Sequence, residues 1–269
     1  MAEPSSIDLT LASALDAMVL EPASATRPGR YVIRFDWEER VCQASEHSQP
    51  EQPTVLFMGV DPSFGRTPYA ITVCYYSNNT NQAIKLLWAS HEHSHSDSGI
   101  QRALQVILHI RCTTPLFATV PIVVAIEDAP GLLGSLFDWL LAERLKDPVT
   151  APFFQGIYSI KSTRHGGAVS SGVRLSKHGR ILMLDNFLMT LTSHAVIRSD
   201  WAMAPYGEFI RQLYGVMIDI GPDGIFEVRF PPGEPEFLIH SFLLALWGKR
   251  LFYETQTEEC CAFKRRHGL

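Results

Sequence analysis

The chain has 269 residues, 46% of them hydrophobic and 19% charged, with a net charge of −5, the balance of a globular protein with one large core and tails. That charge argues against nucleic-acid binding through the whole surface, so any such role rests on a local basic patch. Five cysteines without CxxC spacing argue against a zinc or disulfide framework, and the lack of a long apolar run or signal-peptide pattern points to an intracellular, soluble protein with no membrane partner.

Residues 1–53 read as an N-terminal appendage and linker. Ile7–Leu20 carries apolar residues at helical spacing (Leu11, Leu15, Met18, Val19), Tyr31–Phe35 alternates weakly like an edge strand, and Ser45–Pro53 has the composition of a linker. The core is expected over residues 54–253. Val55–Val60 is apolar except for Gly59, the pattern of a strand covered on both faces. Asp61 stands where that run stops, before Pro62 and Gly65 break the pattern. A charge at the mouth of a core strand needs a partner, so Asp61 either caps the turn or holds a cation.

Tyr69–Tyr76 and Ala83–Ala89 follow as strands joined through the turn residues Ser77-Asn78-Asn79. His91–Asp97 alternates histidine with polar residues. Such a run suits a transition metal, but before a helix it is the ordinary form of a solvated loop, with Ser96 or Asp97 as the cap. Gly99–Cys112 has helical spacing and leads into Pro121–Glu127, a second core-type strand ending in Glu127-Asp128 and closed by Pro130-Gly131. A helical crossover sets these two strands parallel, and Asp61 and Glu127 then project toward one point. Paired carboxylates repel unless a proton or a divalent metal bridges them, and hard oxygen ligands suit Mg²⁺ or Mn²⁺. Asp128 fits behind a ligand rather than as one.

Leu132–Leu145 reads as a second amphipathic helix and Phe154–Ile160 as another strand. The order β-β-β-α-β-α-β is that of an α/β, RNase H-like core, a mixed central sheet flanked by helices. Between Lys161 and Arg180 lie Lys161, Arg164, Arg174, Lys177 and Arg180 with no acid among them, either a solvated loop or a track for a phosphate backbone. Arg180–Leu191 and Ala204–Met217 are helical patterns with His194–Ser199 between them. Val216–Ile220 and Ile225–Phe230, around Asp223-Gly224, form an added C-terminal β-hairpin. Glu236–Phe252 is an apolar last helix with one polar pair, His240-Ser241, and residues 254–269 read as a loose tail.

In this order, Gly59-Val60-Asp61-Pro62, Val123–Glu127, Gly172–Lys177 leading into Ile181–Leu191, and Phe209–Leu213, with the hairpin and closing helix behind them, resemble the nuclease domain of viral large terminase subunits. The resemblance is to the herpesvirus-type branch and covers Val55 to Phe252. Holliday-junction resolvases of the same superfamily are the nearest alternative. The resemblance implies a metal-dependent endodeoxyribonuclease that cuts concatemeric duplex DNA at two divalent ions, Mg²⁺ or Mn²⁺. In that family an Asp on the first strand, a Glu on the fourth and an Asp at the head of the last helix hold the ions. By match Asp61 and Glu127 take the first two places. At the third this chain has His240-Ser241, so His240, or Glu236 one turn upstream, is expected to complete the set. With neither, the chain is a non-catalytic DNA-binding scaffold. The basic residues Lys161, Arg164, Arg174, Lys177 and Arg180 are the expected contacts to duplex DNA. No G-x-x-x-x-G-K-[ST] loop is present, so either the gene is split or spliced or an ATPase, like other terminase subunits, is a separately made partner. Residence in the host nucleus is implied by the resemblance alone.

Overall fold

The structure, a computed structural model, describes residues 18–21, 30–33, 53–62, 68–76, 83–92, 96–127, 154–162, 173–175, 186, 190, 195–198, 206–220, 226–229 and 237–267. In chain order these supply strands Met18–Glu21 (β1), Arg30–Ile33 (β2), Leu56–Asp61 (β3), Tyr69–Tyr76 (β4) and Ala83–Glu92 (β5), helix Ser96–Thr113 (α1), and strands Ile122–Glu127 (β6) and Phe154–Ser162 (β7). Strands Val173–Leu175 (β8) and Ala195–Arg198 (β9), helix Tyr206–Tyr214 (α2), hairpin strands Met217–Ile220 (β10) and Phe226–Arg229 (β11), and helix Phe237–His267 (α3) complete them.

The apolar runs that predicted core strands become the middle of a seven-stranded sheet of order β8-β7-β6-β3-β4-β5-β9. β3 pairs antiparallel with β4 and parallel with β6, the relation expected of a helical crossover. Alternate side chains of β3 enter different cores, as a strand's period of two requires. Leu56, Met58 and Val60 join Ala103, Val106, Ile107 and Ile110 of α1. Phe57 joins Leu238, Phe242, Leu246 and Phe252 of α3, with Phe209 and Leu213 of α2. Each large side chain buried this way contributes about 1.5–3 kcal/mol, so β3 is fixed from both sides. The sheet is mixed and flanked by helices, the RNase H-like α/β arrangement read from the sequence.

Several expectations change. Met18–Leu20, read as the end of a helix, lies in β1 and pairs with β2; cross-strand pairing overrides a loose helical spacing. β2 is not an edge strand, because it sits between β1 and β10. The predicted hairpin, β10–β11, is present and belongs with β1 and β2 to a separate four-stranded antiparallel sheet. The segment left between two helices contains β9, which pairs parallel with β5. α2 stops at Tyr214, and the Met217 expected to end it starts β10 instead. The tail is not loose: α3 runs on to His267. No Gly or Pro interrupts it after Gly248, and an Arg250–Glu254 pair at 2.7 Å and Thr255 and Thr257 hydroxyls bonded one turn back close its surface. Leu132–Leu145 lies outside the described residues, as does Arg180–Leu191 apart from Asn186 and Thr190. Among the described residues no helix is long and apolar enough to cross a membrane.

Candidate metal centre

β3 and β6 end level with each other. The last residues they pair are Val60 and Ile126, one short of Asp61 and Glu127. Phe57 and Val123 face α3, and four residues further along each strand returns to the same face, so Asp61 and Glu127 meet α3 side by side. Both are partly buried, unlike the fully covered residues that precede them.

α3 reaches this edge because of what lies beneath its first turns. A β-carbon at Gly59 would sit 1.7 Å from the Ser241 carbonyl oxygen and 2.7 Å from the Ala245 nitrogen. Only glycine lets the helix backbone come so near. Thr72, opposite Gly59 on β4, hydrogen-bonds Ser241 Oγ at 2.5 Å, and its hydroxyl also lies 3.2 Å from the Leu238 carbonyl oxygen. Ser241 Oγ also donates to that carbonyl at 2.9 Å. Thr72 and Ser241 have no solvent exposure, where an unmade hydrogen bond costs about 1–3 kcal/mol. The polar pair His240-Ser241 therefore divides: Ser241 fixes the helix on the sheet, and His240 is left to face the acids.

His240 Nδ1 lies 3.2 Å from Asp61 Oδ2 and 3.5 Å from Glu127 Oε2. One ligand atom from each of the three residues falls within 4.8 Å of the others. The side chains are 35%, 15% and 18% exposed for His240, Asp61 and Glu127, so the cluster opens to solvent. Two bare carboxylates this close repel by about 3–4 kcal/mol at a protein-like effective dielectric. An imidazolium offsets one of the two charges; a divalent cation offsets both. Neighbouring ligands of an octahedral ion at about 2.1 Å lie roughly 3 Å apart, and the separations of His240 from Asp61 and Glu127, 3.2 and 3.5 Å, are near that size. Two carboxylates and an imidazole thus fit a divalent ion, with the nitrogen donor favouring a transition metal such as Mn²⁺ over Mg²⁺.

Beside this cluster is a second polar group that the sequence reading did not find. Asp61 pairs with Ala70 and Ala70 with His91, so Asp61 and His91 share one row across β3, β4 and β5. His91, placed in the polar loop by its sequence, is the last residue but one of β5; its Nε2 lies 3.0 Å from Glu208 Oε2 of α2 and its ring packs on Phe237 at 4.6 Å. Burial pushes the Glu208 carboxyl up, but the His91 hydrogen bond and charge, with help from Gln212 and Arg211, hold it below the usual glutamate range. Helical spacing of Glu208 and Gln212 was the available signal.

Of the expected ligands, Asp61, Glu127 and His240 come together, while Glu236 lies outside the described residues, as does Asp128, which was expected behind a ligand. Lys161 and Arg174 are backbone register partners on β7 and β8, one residue past the Ile160 that pairs with Glu127. Arg164, Lys177 and Arg180 lie outside the described residues.

No protein-family model and no curated protein matches the sequence. Among solved structures the chain is similar to the human cytomegalovirus terminase nuclease domain, with a TM-score of 0.54 at 11% identity over 80% of this chain and 94% of that one. The same domain soaked with manganese and bound to an inhibitor gives 0.52 at 12% identity over 80% and 93%. The manganese-soaked domain without the inhibitor gives 0.52 at 11% identity over 80% and 94%. At such identities the shared property is the fold.

Proposed function

We propose that the chain is a metal-dependent endodeoxyribonuclease domain of a DNA-packaging terminase that cuts duplex DNA by phosphodiester hydrolysis. The observation that carries this reading is the meeting of Asp61, Glu127 and His240 from three separate elements, with ligand atoms within 4.8 Å. The fold shared with a terminase nuclease domain that has been soaked with manganese supports it.

Asp61 and Glu127 would hold the ion through carboxylate oxygens and His240 through Nδ1, with Glu236 as the further ligand of a two-ion site. Bound there, Mg²⁺ or Mn²⁺ would screen the phosphate charge and lower the pKa of the attacking water. In the reaction the water oxygen forms a bond to phosphorus, the bond from phosphorus to the 3′ oxygen breaks, and the water's proton is balanced by protonation of the leaving oxygen. Lys161, Arg164, Arg174, Lys177 and Arg180 would hold the duplex through its phosphates and carry little sequence information. An ATPase would complete the packaging assembly.

A second reading has its own observation. His240 Nδ1 lies 3.2 Å from Asp61 and 3.5 Å from Glu127, and an imidazolium there would satisfy part of their charge without metal, as in a DNA-binding scaffold. Mn²⁺ titration by calorimetry, with plasmid cleavage in parallel, separates the two. Asp61→Asn is expected to lower Mn²⁺ affinity more than about a hundredfold and to abolish cutting while DNA binding persists. Unchanged cutting ends the catalytic claim; no Mn²⁺ binding by the unaltered chain favours the scaffold. Preference for four-way over linear DNA would assign the chain to the resolvase type.

A further inference from the structure

We infer that Glu208, acting with His91 and Gln212, is a positioning unit for His240, an inference that rests on the metal reading above. The first amide groups of a helix have no partner within it. At the start of α3 the Leu238 amide donates to Gln212 Oε1 at 3.0 Å, a side chain from another helix and only 4% exposed. Gln212 is itself oriented, because its Nε2 donates to Glu208 Oε1 at 3.3 Å. Glu208 is held in turn by His91 at 3.0 Å and by Arg211 at 3.4 Å.

The chain of contacts closes on the metal centre. His91 stands in the sheet row of Asp61 with only Ala70 between them, and Phe237, the first residue of α3, packs on its ring. Sheet, α2 and the head of α3 are thereby tied by a run of hydrogen bonds that the His91–Phe237 ring contact closes into a loop. His240 sits two residues beyond the Leu238 amide that the loop captures. Deleting any link frees the first turn of α3 and lets the imidazole drift from Asp61 and Glu127, although none of the linking residues touches the ion. Ligand orientation by such outer partners is worth roughly tenfold or more in metal affinity.

The test uses the full chain with Gln212→Met, and Glu208→Gln at a more exposed position should the first variant fold poorly. In metal-free protein, amide hydrogen exchange at Leu238–Ser241 is expected to quicken about tenfold while β3 and β6 keep their protection. Mn²⁺ affinity is expected to fall roughly tenfold. In a His240→Ala background the same substitutions are expected to leave the remaining affinity unchanged, which a general loosening of the fold would not do. Unaltered exchange in the first turn, or an equal loss of affinity with and without His240, overturns the inference. If the unaltered chain binds no Mn²⁺, the metal reading fails by itself, and the exchange measurement alone decides whether the unit positions α3.

Discussion

α3 touches the central sheet closely at two places, and the two contacts are built differently. Near its start, Gly59 of β3 lies under Ser241 and Ala245, and an added β-carbon would strike backbone. Further along, the helix supplies the glycine: a β-carbon on Gly248 would meet the Ala125 side chain of β6 at 2.9 Å. Around the first contact are buried hydrogen bonds from Thr72, Ser241 and Gln212. Around the second is apolar packing from Leu244, Trp247 and Ala125. The ammonium of Lys249, the next residue, lies 3.4 Å over the Tyr76 ring and is pushed down in pKa by burial. Apolar packing fixes that a helix lies on a sheet but tolerates small slides; directional hydrogen bonds fix its rotation and register. The end that carries His240 has both.

The largest effect is expected where the comparison is sharpest. Gly59→Ala places a methyl group against a backbone carbonyl that no side-chain rotation can relieve, so the head of α3 must lift. Stability in urea is expected to fall by about 3 kcal/mol, and Mn²⁺ binding is expected to be lost, because the lift separates His240 from Asp61. A variant that keeps both would show that the close approach does not set the site.

Thr72→Val tests the hydrogen bonds without changing shape. Valine fills the same space but offers neither Ser241 Oγ nor the Leu238 carbonyl a partner, while Ser241 keeps its own bond to that carbonyl. A loss of about 1–2 kcal/mol is expected, with Mn²⁺ affinity reduced a few-fold by calorimetry. If the variant matches the parent in both, the polar ties do not distinguish this end of α3 from the other.

The sequence disclosed one side of this comparison better than the other. The strands that carry Asp61 and Glu127 were legible because each is an apolar run that stops at an acid, a pattern set by burial on both faces. His240 became a candidate only through a resemblance, since a His-Ser pair in an apolar helix says nothing about which of the two turns inward. Gly59 was visible as a glycine in a strand, but the helix that needs its missing side chain begins far along the chain. The His91–Glu208 pair joins residues 117 positions apart, and each taken singly has the composition of solvent-facing surface. The pairing of β2 with β10 was hidden for the same reason: four-residue strands carry too little pattern to announce a distant partner.

Gly248→Ala should give the smallest response, and the two sides of its balance can be estimated. Glycine inside a helix costs about 1 kcal/mol relative to alanine, so the substitution gains that much in backbone terms. Against it stands the 2.9 Å approach to Ala125, which requires helix and sheet to separate by a few tenths of an ångström at a cost of roughly 1–3 kcal/mol. The net change is then a loss of about 1 kcal/mol in urea unfolding. Mn²⁺ affinity is expected to stay at the parent value, because Gly248 lies eight residues beyond His240, about 12 Å along the helix axis, and the hydrogen bonds at the head of α3 hold the nearer end in place. A fall in affinity on Gly248→Ala comparable to that on Thr72→Val would mean that α3 moves as one rigid rod, and that the two contacts cooperate rather than dividing the labour between them.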